Sequence, residues 1–460
     1  MTTLTLITLV VALYGLFNAR GYGRALALGG ATPTGAALVL SDTLVVPTFY
    51  AVALGTVVAL FFPMLGRGPA PPLPRRHLPP GADLLLMFFL WSTFVTVAAP
   101  LLFNGLPVLL PGGKESTLIA GVVSGTNAAQ LIYLALAVCI VVFLGRSPHT
   151  GPQLLGLAVG LTVMLSMWRF AYQNFGVPFP EGLLDNSPAF AYIDTAPGGA
   201  PRFRGILSEP ASLAISCLVA IVYMLPRSFQ ARGWRRVGCL VVACSALFLG
   251  VISTSATFVV AGAIMAVIVA LTFLFGFLIR RTSVGRLASV VACVLVIVAI
   301  WVLPFIATYV ELTISDKVGS SSYSDRSDSD AVAYEALLNT FGLGAGVGAS
   351  RASSFFPGLL SATGVIGTLL FAAMVTTLIR RSSALREYHP VIWALVSVLV
   401  VKIVSGPDLS DPSGVLWISL GLLSHGALVA GRSRPGADAA GRAPGATDEE
   451  HTAVPLRSAP

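Results

Sequence analysis

Two stretches of this sequence gather the residue types that handle phosphate. The first, Pro201-Arg202-Phe203-Arg204-Gly205-Ile206-Leu207-Ser208-Glu209-Pro210, runs straight into an apolar segment. Ser208 suits a helix N-cap, and Glu209 and Pro210 suit the turn that follows it. Guanidinium groups from Arg202 and Arg204 beside the unpaired amides of a helix start make an anion site, because all of them donate toward one ligand. The plainer alternative pairs Arg204 with Glu209 and leaves Glu209 to complement the helix dipole.

The second stretch holds Asp325-Arg326-Ser327-Asp328-Ser329-Asp330, a helical pattern over 331–340, and then Phe341-Gly342-Leu343-Gly344-Ala345-Gly346-Val347-Gly348-Ala349-Ser350-Arg351. Alternating glycines let a backbone approach a ligand closely and take positive φ, so Gly344, Gly346 and Gly348 are candidate binding positions. Their spacing is not the dinucleotide fingerprint. Asp328-Ser329-Asp330 has the form of a metal-binding acidic pair. An exposed acidic turn solvates itself equally well, and no metal is expected. Arginine forks match the oxygens of a diphosphate. With Arg326 and Arg351, the pattern suggests a lipid diphosphate handled at a membrane face; Lys402, the lone obvious charge within a span, either snorkels toward the same place or simply reaches solvent.

The rest of the chain must supply that membrane. Of 460 residues, 55% are hydrophobic and 10% charged, with mean hydropathy +0.85. A soluble domain carries about 25% charged residues, so this composition excludes a soluble enzyme, a nucleic-acid binder and a secreted disulfide scaffold. Cys139, Cys217, Cys239, Cys244 and Cys293 all lie in apolar runs and read as packing residues. Apolar runs fall at 2–18, 25–40, 44–64, 83–104, 126–144, 153–168, 211–226, 237–253, 257–279, 287–307, 357–379, 391–404 and 414–430. The first lacks a basic leader and a cleavage site and reads as a span. The second is short and contains Pro33. It is counted because Arg20 and Arg24 before it and Arg67, Arg75 and Arg76 after the third run should share the cytoplasmic side.

This gives an all-α polytopic membrane protein of about 13 transmembrane helices (12–14). The transmembrane domain is 1–431, with long extracytoplasmic loops at 169–210 and 308–356, and 432–460 forms a disordered cytoplasmic tail. With an outside N-terminus, most of the 28 basic residues face the cytoplasm and most of the 20 acids face out. Loops this long are functional or disordered, and aromatic residues such as Phe179, Tyr192 and Phe203 argue that the first folds against the helices.

Arg204-Gly205-Ile206-Leu207-Ser208-Glu209-Pro210, the outer turn Ser253-Thr254-Ser255, Asp325-Arg326, the 341–348 glycine run and Gly364-Val365-Ile366-Gly367, in this order, resemble the bacterial O-antigen polymerase and ligase (Wzy-like) superfamily. The resemblance covers about 204–370 closely. It implies a GT-C-like fold and an inverting, metal-independent glycosyltransferase of the bacterial plasma membrane that needs no cofactor. Its substrates would be an undecaprenyl-diphosphate-linked glycan donor and an acceptor glycan, and it admits a chain-length regulator as a partner besides membrane lipids. On that reading Arg204, Arg326 and Arg351 hold the diphosphate, and Glu209 or Asp325 orients or deprotonates the acceptor hydroxyl. Arg202, Gly344, Gly346, Gly348 and Lys402 complete the binding surface. Ligases resemble one another in a histidine of the second outer loop. His77, His149, His389, His425 and His451 all lie elsewhere, so polymerase is expected over ligase. The competing expectation is a lipid-linked oligosaccharide flippase or other multi-pass transporter, which would bury ionisable residues mid-span.

Overall fold

The computed structural model describes residues 2–17, 21–32, 37–39, 45–61, 78–110, 114–187, 192, 195, 202–280, 321–406 and 409–432, with backbone alone at 61, 114, 277–280 and 321–326. The helices are α1 (Thr3–Phe17), α2 (Tyr22–Ala31), α3 (Thr48–Phe61), α4 (Ala82–Leu102), α5 (Gly125–Arg146), α6 (Gln153–Phe175), α7 (Pro210–Gln230), α8 (Trp234–Ile252) and α9 (Ala256–Arg280). They continue with α10 (Ser321–Asn339), α11 (Phe355–Ser382), α12 (His389–Val404) and α13 (Val415–Arg432). Among the described residues, nine helices are long and apolar enough to cross a membrane: α4 to α9 and α11 to α13. At 1.5 Å per residue, about 20 residues match a hydrocarbon layer of about 30 Å. This is the architecture of a polytopic membrane protein.

The fold is not purely helical. β1 (Ala37–Val39) and β2 (Val45–Pro47) form one antiparallel hairpin, and β3 (Pro107–Leu110) and β4 (Lys114–Thr117) form another. The first hairpin corrects the expected span at 25–40. Its helix stops at Ala31, because Gly29 and Gly30 weaken it and Pro33 bars its continuation. Ten residues rise only about 15 Å. Thr162, partway along α6, donates to the Ala31 carbonyl at 3.3 Å, so α2 ends beside the middle of a full-length helix. The expected span at 287–307, the loop residues up to 320 and the tail from 433 lie outside the described residues.

One side chain ties together the face that carries the 169–210 excursion. Asn186, in the 169–210 excursion, accepts from the Ala37 amide at 2.9 Å, and its Nδ2 donates to the Ala37 carbonyl and to Thr2 Oγ1 at 2.8 and 2.9 Å. The chain start, the first hairpin and the long loop therefore share a face. On the opposite face, Gln230 Nε2 donates to the Arg386 carbonyl at 2.7 Å and joins the end of α7 to the α11–α12 connection.

α13 runs through the centre. Leu416 to Ser424 are buried without a break, and Trp417 is fully covered. A helix covered on every side carries no polar stripe, which is why its sequence shows no periodicity. By contrast only 11% of the apolar window of α9 is buried, the least of the nine long apolar helices among the described residues.

Candidate functional site

The most developed polar arrangement is the one around Arg204. Arg204 is only 5% exposed, and its fork closes on Asp185, with Nη1 to Oδ1 at 3.1 Å and Nη2 to Oδ2 at 2.7 Å. Nη1 also donates to the Leu207 carbonyl at 2.7 Å, and the guanidinium lies over the Tyr192 ring at 4.9 Å. Arg169 shares the same carboxylate, with Nη1 to Oδ2 at 2.9 Å, and stands over Phe179 at 6.0 Å. α6 runs seven residues past the expected end of its span, so Arg169 sits on its outermost turns rather than in a loop. Gly205, at φ 59, turns the backbone so that its Cα lies against Ser166 of α6, where a Cβ would sit 2.6 Å from the hydroxyl.

Two guanidinium groups share one carboxylate, and Glu181 lines the same recess. Burial alone would raise the Asp185 carboxyl, but hydrogen bonds and charge from Arg204 and Arg169 outweigh it and hold the group below its ordinary value. Asp185 therefore stays ionised and is a poor proton acceptor. Beside it lies a recess of about 70 Å³ lined by Arg169, Phe179, Glu181, Gly182, Leu184 and Asp185. That is room for a few water molecules.

The carboxylate that Arg204 engages is thus Asp185, and Glu209 takes another role. The helix boundary falls one residue later than expected. Glu209, extended at φ −147, is the N-cap residue of α7 and Pro210 is its first residue, a place where proline loses nothing by lacking an amide hydrogen. Glu209 is half-buried and accepts from Ser212 Oγ at 3.3 Å. Arg202 reaches the α8–α9 turn, donating from Nη2 to the Thr254 carbonyl at 3.1 Å and from Nε to Thr254 Oγ1 at 3.3 Å. Thr254 has φ 48, so this turn is itself strained. The first excursion and the Ser253-Thr254-Ser255 turn, widely separated in sequence, are therefore in contact.

The second excursion is organised differently. The side chains of Asp325 and Arg326 lie outside the described residues, and their backbone belongs to α10, which starts ten residues before the expected helix. Asp330 is a structural carboxylate: it accepts the Ser353 and Ser354 amides at 2.7 and 3.2 Å and Ser354 Oγ at 2.7 Å, fixing the start of α11. Asp328 is exposed. No group of three or more metal-ligating side chains occurs among the described residues.

The glycine run threads into the bundle. α11 is broken at Gly364 (φ 67, ψ −173), and the run fills the break: Ala345 N donates to Ser361 O, Gly346 N to Ala362 O, and Val365 N to Gly342 O. The Val347 amide donates to Thr96 Oγ1 at 3.0 Å, and Asn127 Nδ2 donates to its carbonyl at 2.7 Å. Gly344, Gly346 and Gly348 all have positive φ, and a Cβ on them would lie 2.7 to 2.9 Å from the backbones of Gly364, Thr96 and Thr126. The close approach expected of these glycines is made to the protein's own helices. Arg351 follows, exposed, with its amide on the Leu109 carbonyl of β3 at 2.8 Å.

Lys402 does not reach solvent. It is 7% exposed, pairs with Asp411 at 3.3 Å and stands over Phe355 at 5.9 Å. Asp411, also buried, accepts the Leu416 amide at 2.7 Å and Ser413 Oγ at 3.0 Å, and so caps α13. Arg204, Arg351 and Lys402 are thus held by three different sets of partners. Asp185 and Asp411 escaped the sequence reading. Asp185 lies 19 residues from Arg204 and 16 from Arg169, and no helical or strand period links such positions. Asp411 carried a weak signal, an acid shortly before an apolar run, which is an N-capping position. No protein-family model matches the chain, and no curated protein matches its sequence.

Proposed function

We propose that this protein is a polysaccharide polymerase that transfers a glycan from an undecaprenyl-diphosphate donor to an acceptor glycan at the outer membrane face. The observation that carries the reading is the buried Arg204–Asp185–Arg169 cluster, two guanidinium forks held on one carboxylate beside a recess at the ends of membrane helices. A diphosphate is bidentate toward guanidinium, as Asp185 is, and carries more charge, so it would exchange with Asp185 for the two forks. In the transfer the acceptor hydroxyl oxygen bonds to the anomeric carbon from the face opposite the leaving group. The bond from that carbon to the diphosphate breaks, and the electron pair leaves with the lipid diphosphate, whose charge the arginines stabilise. The hydroxyl proton passes to a carboxylate. Glu209 suits this better than Asp185, whose depressed pKa makes it a weak base. Arg326, Asp325 and Arg351 join the site on the same reading, with no metal or cofactor in the reaction.

The test is the surface-glycan ladder. Arg204→Lys, which keeps the charge and loses the fork, should shorten or thin it, and Arg326→Ala should abolish long chains, both with unchanged membrane abundance. Normal ladders in both variants refute the catalytic roles. One observation favours the second reading, a lipid-linked oligosaccharide flippase or other transporter. Lys402–Asp411 is a buried ionisable pair between membrane helices, the kind of group that couples transport to ions. Accumulation of unflipped lipid-linked units inside cells lacking the protein would select it.

A further inference from the structure

On the face opposite Arg204, the α7–α8 and α11–α12 connections carry Arg227, Arg232, Arg235, Arg236, Arg380, Arg381 and Arg386. The Gln230 to Arg386 hydrogen bond holds the two connections side by side, and Arg227 Nη1 in turn donates to Gln230 Oε1 at 3.2 Å. Among the described residues none of the seven arginines makes an ion pair, and Glu387 is the lone acid within these two connections. Arg235 and Arg236 occupy the first turn of α8, which has no acid and no side-chain cap, so their charge adds to the positive end of the helix dipole. That arrangement is unfavourable by itself and becomes favourable only when anions meet it.

Two aromatic side chains complete the surface. Trp234 is 89% exposed and Phe229 79%, and they flank the basic turn. Large apolar rings beside unpaired arginines at a helix end suit a headgroup layer, where rings enter the acyl boundary and guanidiniums meet phosphates. A soluble anion would use the arginines and leave both rings bare.

We propose that this surface is a binding site for anionic phospholipid, the phosphodiester headgroup held by Arg232, Arg235, Arg236 and Arg386 and the acyl region met by Trp234 and Phe229. It is independent of the glycan reading, since it lies on the other face and needs no chemistry.

Native mass spectrometry of the purified full chain, titrated with phosphatidylglycerol or phosphatidylcholine, tests it. The wild type should retain phosphatidylglycerol at least tenfold better. Replacing Arg232, Arg235 and Arg236 together by Gln should weaken that binding by about a hundredfold, at roughly 1 kcal/mol per arginine. A second arm needs only a mild variant. Brominated phosphatidylglycerol in nanodiscs should quench the fluorescence component lost in Trp234→Phe, and brominated phosphatidylcholine should quench it less. Equal retention of the two lipids, or equal quenching by them, overturns the proposal.

Discussion

Asp185→Asn separates what holds the long outer excursion from what merely lies near it. Three charge-assisted hydrogen bonds converge on this carboxylate, at 2.7, 2.9 and 3.1 Å. The side chains are 5% (Arg204), 14% (Arg169) and 19% (Asp185) exposed, so solvent screens them little. Asparagine keeps one acceptor oxygen and sets an amide donor against the remaining guanidinium donors. Bonds to charged groups contribute roughly 1.5–3 kcal/mol each. Arg204 keeps the Leu207 carbonyl and Tyr192, which softens the loss of two bonds to about 3 kcal/mol. That is a factor of about 150 in the open population of the 176–187 segment, and proteolysis of a transiently opened segment follows that population. Chymotrypsin cleavage after Leu183 should therefore accelerate about a hundredfold, with the membrane helices intact. Acceleration below threefold would refute the idea that Asp185 pins the loop. The same carboxylate sets a pH dependence. Its folded pKa is depressed, so its contribution is present in full above about pH 4, the ordinary aspartate value, and is lost as pH falls through the lower folded value. Cleavage by pepsin should rise across that acid window in the wild type and stay flat in the Asn variant.

Two further substitutions test the packing. Asp411→Ala should cost about 4 kcal/mol, seen as loss of monodisperse protein on size exclusion, because it strands a buried ammonium and uncaps α13. Adding Lys402→Met should recover most of that loss, and a double variant as poor as the single would show that charge is not the cause. Gly346→Ala should cost about 3 kcal/mol of thermal stability, since φ is 101 and its Cβ would sit 2.8 Å from the Thr96 Cα. Gly105→Ala, at φ 84 with open space around it, should cost about 1 kcal/mol. Equal shifts would refute the packing account.

The membrane architecture was legible because burial in lipid writes long apolar runs into the chain, and α4 to α9 and α11 to α13 fall where those runs are. The run at 25–40 misled because hydropathy does not register where a backbone stops being helical. Gly29, Gly30 and Pro33 do register it, and the charge of the flanking loops points the other way. The arginines of the first excursion were visible by type, while their anchor was not. Asp185 is a single acid in an irregular segment, and tertiary folding alone brings it to residues 16 and 19 positions away. The glycine run signals close backbone approach, and the approach it makes is to the protein's own helices rather than to the ligand expected there. Its partner could not be read, since a break in a helix and a strand-like insertion into it have no shared sequence period.

The charges on the two faces obey different rules, and the difference bears on which of them carry function. On the face that carries Arg232, Arg235, Arg236 and Arg386, these arginines are exposed and make no ion pair among the described residues, so solvent or lipid rather than a fixed protein partner compensates them. Orientation in the membrane is satisfied by number rather than place. On the outer side Arg204, Arg169 and Lys402 are desolvated, and each is matched to a carboxylate at a defined distance. A desolvated cation is tolerable only in the geometry that compensates it, so its position is specified to within an ångström or so. Hydrophobic residues of similar volume would stabilise such positions as well or better, which makes simple stability a weak reason for keeping charge there. Positional precision that stability does not require is what a binding or catalytic site needs. Of these three cations, Lys402 pairs with Asp411, a carboxylate that also caps a helix, whereas Arg204 and Arg169 converge on one aspartate beside a recess, the arrangement in which an anion can compete for two forks at once.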